Sequence, residues 1–194
     1  MNATDVLDFW FGPTPLAPRR EWFVKSDEFD DDIRQRFGAL LETALAGGLA
    51  WGDDTGSQVA ELIVLDQFTR NLFRDQARAF AGDARARTIA MGLIDSGAHL
   101  TLHPLQRWFV YMPLEHAEEL ALQDRSVALF EALFGALVQE GAAHADAVKG
   151  ALDYAYKHRD VIQQFGRFPH RNAALGRTST AAEVAYLAQP GSGF

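Results

Sequence analysis

The chain contains no cysteine in its 194 residues. That excludes disulfides, a thiolate nucleophile and Cys-ligated zinc, and it fits a reducing compartment. No basic stretch followed by an apolar run opens the chain, so no signal peptide is read. The longest apolar run, around Val127 to Val138, is interrupted by Glu131 and is too short to span a membrane. Phosphate-loop and Gly-x-Gly-x-x-Gly motifs are missing, so a nucleotide-binding α/β fold is not expected and no cofactor is implied. No Gly-x-Ser-x-Gly elbow occurs either; Ser192 sits between two glycines near the C-terminus. Positive charge is scarce: 18 Lys and Arg against 26 Asp and Glu leave a net charge of −8, which disfavours nucleic acid as a partner.

Apolar side chains, by contrast, are plentiful. They make up 48% of the sequence, with fourteen Phe and four Trp, enough for an aromatic core. The length fits one domain over residues 1–194, with a loose tail from about 189. No β-alternation is present, and the spacing predicts an all-α fold of about eight or nine helices in antiparallel hairpins. Asp5 is expected to cap a short helix through Phe11, and a second helix should run from Asp27 to about Ala46. Asp30, Asp31 and Asp32 read as its solvated first turn, where the helix dipole favours negative charge. Ser57 to Phe73 is apolar almost all round and therefore central. Asp83 should cap a helix through Ser96, and another begins between Thr101 and Pro104. Pro113 should end or kink that helix, or open the next, Leu114 to Gln123. Helices from Ser126 to Gln139 and from Ala145 to Phe165 follow. Thr180 and Glu183 form a capping box for a terminal helix to Leu187. A 34-residue tetratricopeptide consensus is absent.

The stretch from His158 to Arg177 stands out within this frame. Its four arginines (159, 167, 171 and 177) face one aspartate, a basic and aromatic island in an acidic chain. Gly166 suits a helix end and Pro169 forbids continuation. Arg70, Arg167, Arg171 and Arg177 carry rigid donor forks suited to carboxylate or phosphate. They either lock the C-terminal segment onto acids such as Asp66 and Glu118, or keep surplus donors for an anionic ligand. His158 falls in an apolar stripe and should be buried against a carboxylate or carbonyl, as a structural group or as a general base. Asp66 and Arg70 stand four apart on the central helix, and Gln67 and Asn71 also need partners there. On the helix expected from Leu114 to Gln123, His116, Glu119 and Gln123 share a face at i, i+3 and i+7, with Glu115 and Glu118 pointing elsewhere. A metal would need His158 or His170 to join them, and none is expected because no ligand motif occurs.

Several of these stretches together resemble a bacterial family catalogued as domain of unknown function nine hundred and twenty-four. They are Val6 to Gly12, Trp22-Phe23, Leu65 to Arg74, Tyr111 to Glu118, and Gln164 to Asn172 with Gly176-Arg177. The resemblance covers nearly the whole chain. It implies a helical fold similar to tetratricopeptide-repeat proteins, a right-handed array without consensus repeats, and no established activity. In the family's pattern Pro or Ser often stands where Thr69 is and Ser where Ala117 is, so no hydroxyl role is expected at 117.

Two functions follow as expectations. One is a cytosolic enzyme or small-molecule binder, with Asp66, His116 and His158 as catalytic candidates. Its ligand set would be Gln67, Arg70, Asn71, Glu118, Arg167, His170, Arg171, Asn172 and Arg177 around an anionic small molecule. The other is a helical scaffold for a protein partner, in which the same polar set is an internal clasp. Neither needs a membrane, and a homodimer is an option.

Overall fold

The computed structural model describes residues 1–193, and among them every regular element is helical. The elements are α1 (Ala3–Phe11), α2 (Asp27–Leu45), α3 (Thr55–Leu62), α4 (Thr69–Leu72), α5 (Asp83–Asp95), α6 (Pro104–Glu115), α7 (Leu120–Glu140), α8 (Ala145–Phe165) and α9 (Ala181–Leu187). Short 3₁₀ turns lie between several of them. No helix among the described residues is long and apolar enough to cross a membrane.

The centre is the segment from α3 to α4. Val59, Ala60 and every residue from Leu62 to Thr69 are buried, as expected for a helix apolar all round. It touches α1, α2, α5 and α6. Between α3 and α4 the backbone widens into a π-helical turn, Ile63–Phe68. Side chains from the next turn reach back to its carbonyls: Thr69 Oγ1 donates to Leu65 O (2.8 Å) and Arg70 Nη1 to Asp66 O (2.7 Å). Gly82 lies hard against this turn. A Cβ there would stand 2.2 Å from Leu65 O, so only glycine lets α5 start so close.

Aromatic rings knit α1 into this centre. Trp10 packs on Phe29, Phe68 and Phe109 with centroids 5.5–5.8 Å apart. Arg19 Nη1 donates to Phe9 O and Trp10 O, satisfying carbonyls at the end of α1. Further on, α7 and α8 form an antiparallel hairpin. Tyr156 meets Glu131 and Arg159 meets Asp124, so advancing along α8 retreats along α7. α6 packs on both. After α8, Gly166 takes a left-handed φ of 69°, and Pro169–Arg171 forms one 3₁₀ turn before α9. A small cluster of Val161, Ile162 and Phe168, with Phe165 and Tyr186 against it, joins this segment to α8.

Several boundaries differ from the expectation. Asn2, not Asp5, caps α1; Asp5 is the third residue and returns a bond to Asn2 N, completing a capping box. Asp54 caps α3, so the helix begins at Thr55 rather than Ser57. Asp83 caps nothing: Gly82 precedes α5 and the Asp83 carboxylate serves Arg70. Asp30 is not solvated but 6% exposed, gripped by Arg74 Nε (3.0 Å) and Asn71 Nδ2 (2.6 Å). Pro113 neither ends α6 nor starts the next helix; it lies inside α6 and removes one backbone donor two residues before the end. The break falls at His116–Glu119, where Gln123 Nε2 reaches back to Glu115 O (2.6 Å) and Ala117 O (2.7 Å). The helices expected at Leu114–Gln123 and Ser126–Gln139 are therefore the end of α6 and a single α7.

Candidate functional site

The widened turn carries Asp66 and Gln67 into the interior. Asp66 is fully buried. Its Oδ1 lies 2.8 Å from His116 Nδ1 and 3.1 Å from Arg70 Nη1, while Oδ2 accepts from Gln67 Nε2 at 2.5 Å. Burial works to raise the Asp66 pKa, but the Arg70 charge, then His116 and Gln67, outweigh it and hold the carboxyl well below its ordinary value. Asp66 is thus an anion with both oxygens occupied. His116, at the end of α6, is 8% exposed. Burial and the Arg70 charge lower its pKa, against the pull of Asp66. A neutral imidazole donating Nδ1–H to Asp66 keeps its Nε2 lone pair available, the tautomer a general base needs.

Arg70 extends the network. It donates from Nη1 and Nη2 to the two oxygens of Asp83 (2.9 and 3.2 Å), closing a bidentate pair. On the far side of Asp83 stands Arg171, 6% exposed, with Nη1 3.6 Å from Asp83 Oδ2. Its guanidinium lies against two rings, Phe80 (4.7 Å) and Phe168 (4.4 Å). No hydrogen bond runs from it to any described residue, and its Nε is sealed from solvent. Burial and the neighbouring Arg70 push its pKa down to about 10, so it stays a cation at neutral pH.

His158 is buried, as its stripe predicts, with Nδ1 2.9 Å from Tyr154 O and 3.0 Å from Glu115 Oε1. Its ring centroid stands 6.2 Å from that of His116. His170 packs beside Phe168, and burial together with the Arg171 charge pushes its pKa down to about 4.

Other candidates lie outside this group. Glu118 accepts both terminal nitrogens of Arg177 (2.6 and 2.8 Å) and the Phe168 N–H (2.8 Å). Arg177 Nε goes to Asn172 Oδ1 (2.9 Å), and Asn172 Nδ2 to Ser179 Oγ (3.0 Å). Arg167 binds Glu183, the capping-box acid of α9, at 2.6 and 2.8 Å. Asn71 turns away to Asp30. Glu119 is exposed in the α6–α7 break and shares no helical face with His116, because no continuous helix joins them. Among the described residues no group of three or more His, Asp or Glu is placed to hold a metal ion. Two open surface hollows flank α2, lined by residues such as Glu28, Asp31 and Arg34; neither includes Asp66 or His116.

Sequence reasoning missed Asp83, Glu115, Phe80 and Phe168. Asp83 resembles any helix-opening acid, and Glu115 was expected to face away. Phe168 lies inside the basic stretch itself, and a ring between arginines was a usable signal.

The model of a family of bacterial proteins of unknown function, DUF924, matches residues 6–191. The chain belongs to this family. It is also similar to a solved structure of a protein of unknown function from Agrobacterium tumefaciens, with 35% identity, 96% of each chain covered and a TM-score of 0.76. No curated protein matches it. The family resemblance carried by the Leu65–Arg74 and Gln164–Asn172 stretches therefore holds. The matched region contains Asp66, Arg70, Asp83, His116 and Arg171. Neither description names an activity, and the chemistry has to be argued from the cluster.

Proposed function

We propose that the protein is an acid–base enzyme acting on a small anionic molecule, with Arg171 holding the anion and His116, oriented by Asp66, moving the proton. One observation carries this reading: Arg171 is a buried cation whose donors are not consumed by the acids around it. An arginine kept only for structure would close its fork on a carboxylate, as Arg70 does on Asp83. The placement of Asp66 and Gln67 on a π-helical turn fits too, since such turns are frequent at functional sites. His158 and Glu115 back the His116 ring as a second carboxylate–imidazole pair. The protein works in the cytosol, without nucleic acid or membrane, and a homodimer is one option for its assembly.

The test is thermal unfolding against a panel of small carboxylates, phosphates and nucleotides. A ligand at ~100 times its dissociation constant adds ~2.7 kcal/mol, a shift of roughly 5–10 °C for a chain this long. The reading expects one class of anions to produce that shift and Arg171→Met to abolish it. A panel without response contradicts it.

The second reading, a scaffold whose polar set is a clasp, is favoured by the closed pairs Arg177–Glu118 and Arg167–Glu183. It also has a candidate face: Phe23 is 54% exposed and stacks on Trp108 at 5.0 Å.

A further inference from the structure

We infer that the anionic group bound at Arg171 is a single carboxylate, taken side-on by the Nε–Nη2 edge of the guanidinium. This rests on the anion-site reading above and narrows it to a substrate class.

The rings of Phe80 and Phe168 stand 4.7 and 4.4 Å from the guanidinium carbon, and a ligand's hydrogen bonds run to the guanidinium rim, where its N–H groups lie. Part of that rim is taken: Nη1 is the nitrogen directed at Asp83. The opposite edge pairs Nε–H with Nη2–H as two parallel donors, and Nε is buried without an acceptor among the described residues. Two parallel donors about as far apart as the oxygens of a carboxylate make the fork–fork pair. The neighbouring arginines show what completes such a fork in this molecule. Arg70 is closed by the two oxygens of Asp83, and Arg177 by the two of Glu118. Arg171 is the arginine of the cluster whose fork has no such counterpart.

Charge separates a carboxylate from a phosphate. His116 and His170 have lowered pKa values and are neutral at pH 7, so neither adds positive charge. Asp83, shared by Arg70 and Arg171, lies 3.6 Å from the guanidinium. A single negative charge balances one half-compensated arginine. A phosphate dianion would bring a second negative charge up against Asp83 and Asp66.

The experiment is an NMR titration of the full chain, following the Arg171 Nε–H signal, assigned by its loss in Arg171→Lys. The probes are acetate, inorganic phosphate and uncharged acetamide at equal ionic strength. Saturable movement with acetate alone is expected. Arg171→Lys keeps the charge but loses the fork, and should weaken acetate binding at least about tenfold. Movement with phosphate and not acetate would overturn the carboxylate assignment while keeping the anion site. No movement with any probe overturns it as well, and the unfolding panel then decides separately whether an anion site exists. Acetate binding undiminished in Arg171→Lys overturns the side-on fork.

Discussion

The segment after α8 takes part in two arginine–carboxylate sets that differ in what they leave over. In the outer set, Glu118–Arg177 and Arg167–Glu183, the charged edges face one another, and backbone and amide groups accept further bonds from both arginines. These arginines are about a quarter exposed. In the inner set, Asp66, Arg70, Asp83 and Arg171, the burial is deeper and the accounting does not close: Arg171 keeps a sealed, unused donor. Both sets pair arginine with carboxylate. Burial together with surplus, not composition, distinguishes a site from a clasp, because a structural network gains most when every member is satisfied.

The sharpest way to break this contrast is at its anchor. Asp66→Ala strips His116 and Gln67 of their acceptor and leaves Arg70 half-compensated. It is expected to cost about 3–5 kcal/mol at pH 7, the range for breaking a buried pair. Denaturant unfolding measures this, and a loss below about 1 kcal/mol would show that Asp66 does not organise the inner set.

Acid should act next. His170 has a folded pKa of about 4 against the ordinary 6.5, so between these values the unfolded chain binds more protons. Its contribution is present above pH 6.5 and is lost as pH falls toward 4, on the order of 2 kcal/mol. The lowered pKa of His116 acts in the same direction. Asp66 and Glu118, both lowered, contribute above the ordinary carboxylate range and lose that contribution only at more acid pH. Unfolding midpoints of wild type and His170→Gln over pH 4–7 check this: the variant should show the flatter curve, and parallel curves would refute the assignment.

The outer set should respond least. Glu118→Ala removes a pair about a quarter exposed and the acceptor of the Phe168 N–H, a loss of about 1 kcal/mol after allowing for solvent screening. The difference from wild type should shrink in high salt. A loss as large as that of Asp66→Ala would erase the distinction between the two sets.

Much of this was legible in the sequence. The burial of His158, the Asp66–Arg70 pair, the Thr180–Glu183 box and α8 all follow from local spacing, which helix geometry converts directly into contacts. Glu118 is among the acids expected for these arginines, but which arginine meets which acid was not legible. Arg171 meets Asp83 and Arg177 meets Glu118 across helices that only packing brings together. Asp30 looks solvated by analogy with its neighbours Asp31 and Asp32; Asn71 of α4 and Arg74 in the turn after it grip its carboxylate. The break after α6 hid for a similar reason. Gln123 ends that helix from outside, whereas Pro113, the local signal, does not.

The most direct test of the central claim is the thermal stability of Arg171→Met. A methionine fits between Phe80 and Phe168 and removes a buried, half-compensated charge. If Arg171 is held for a ligand, the free variant should unfold about 2–4 °C higher than wild type, a gain of ~1 kcal/mol. If it unfolds several degrees lower, Arg171 is part of the clasp and the contrast between the two sets collapses.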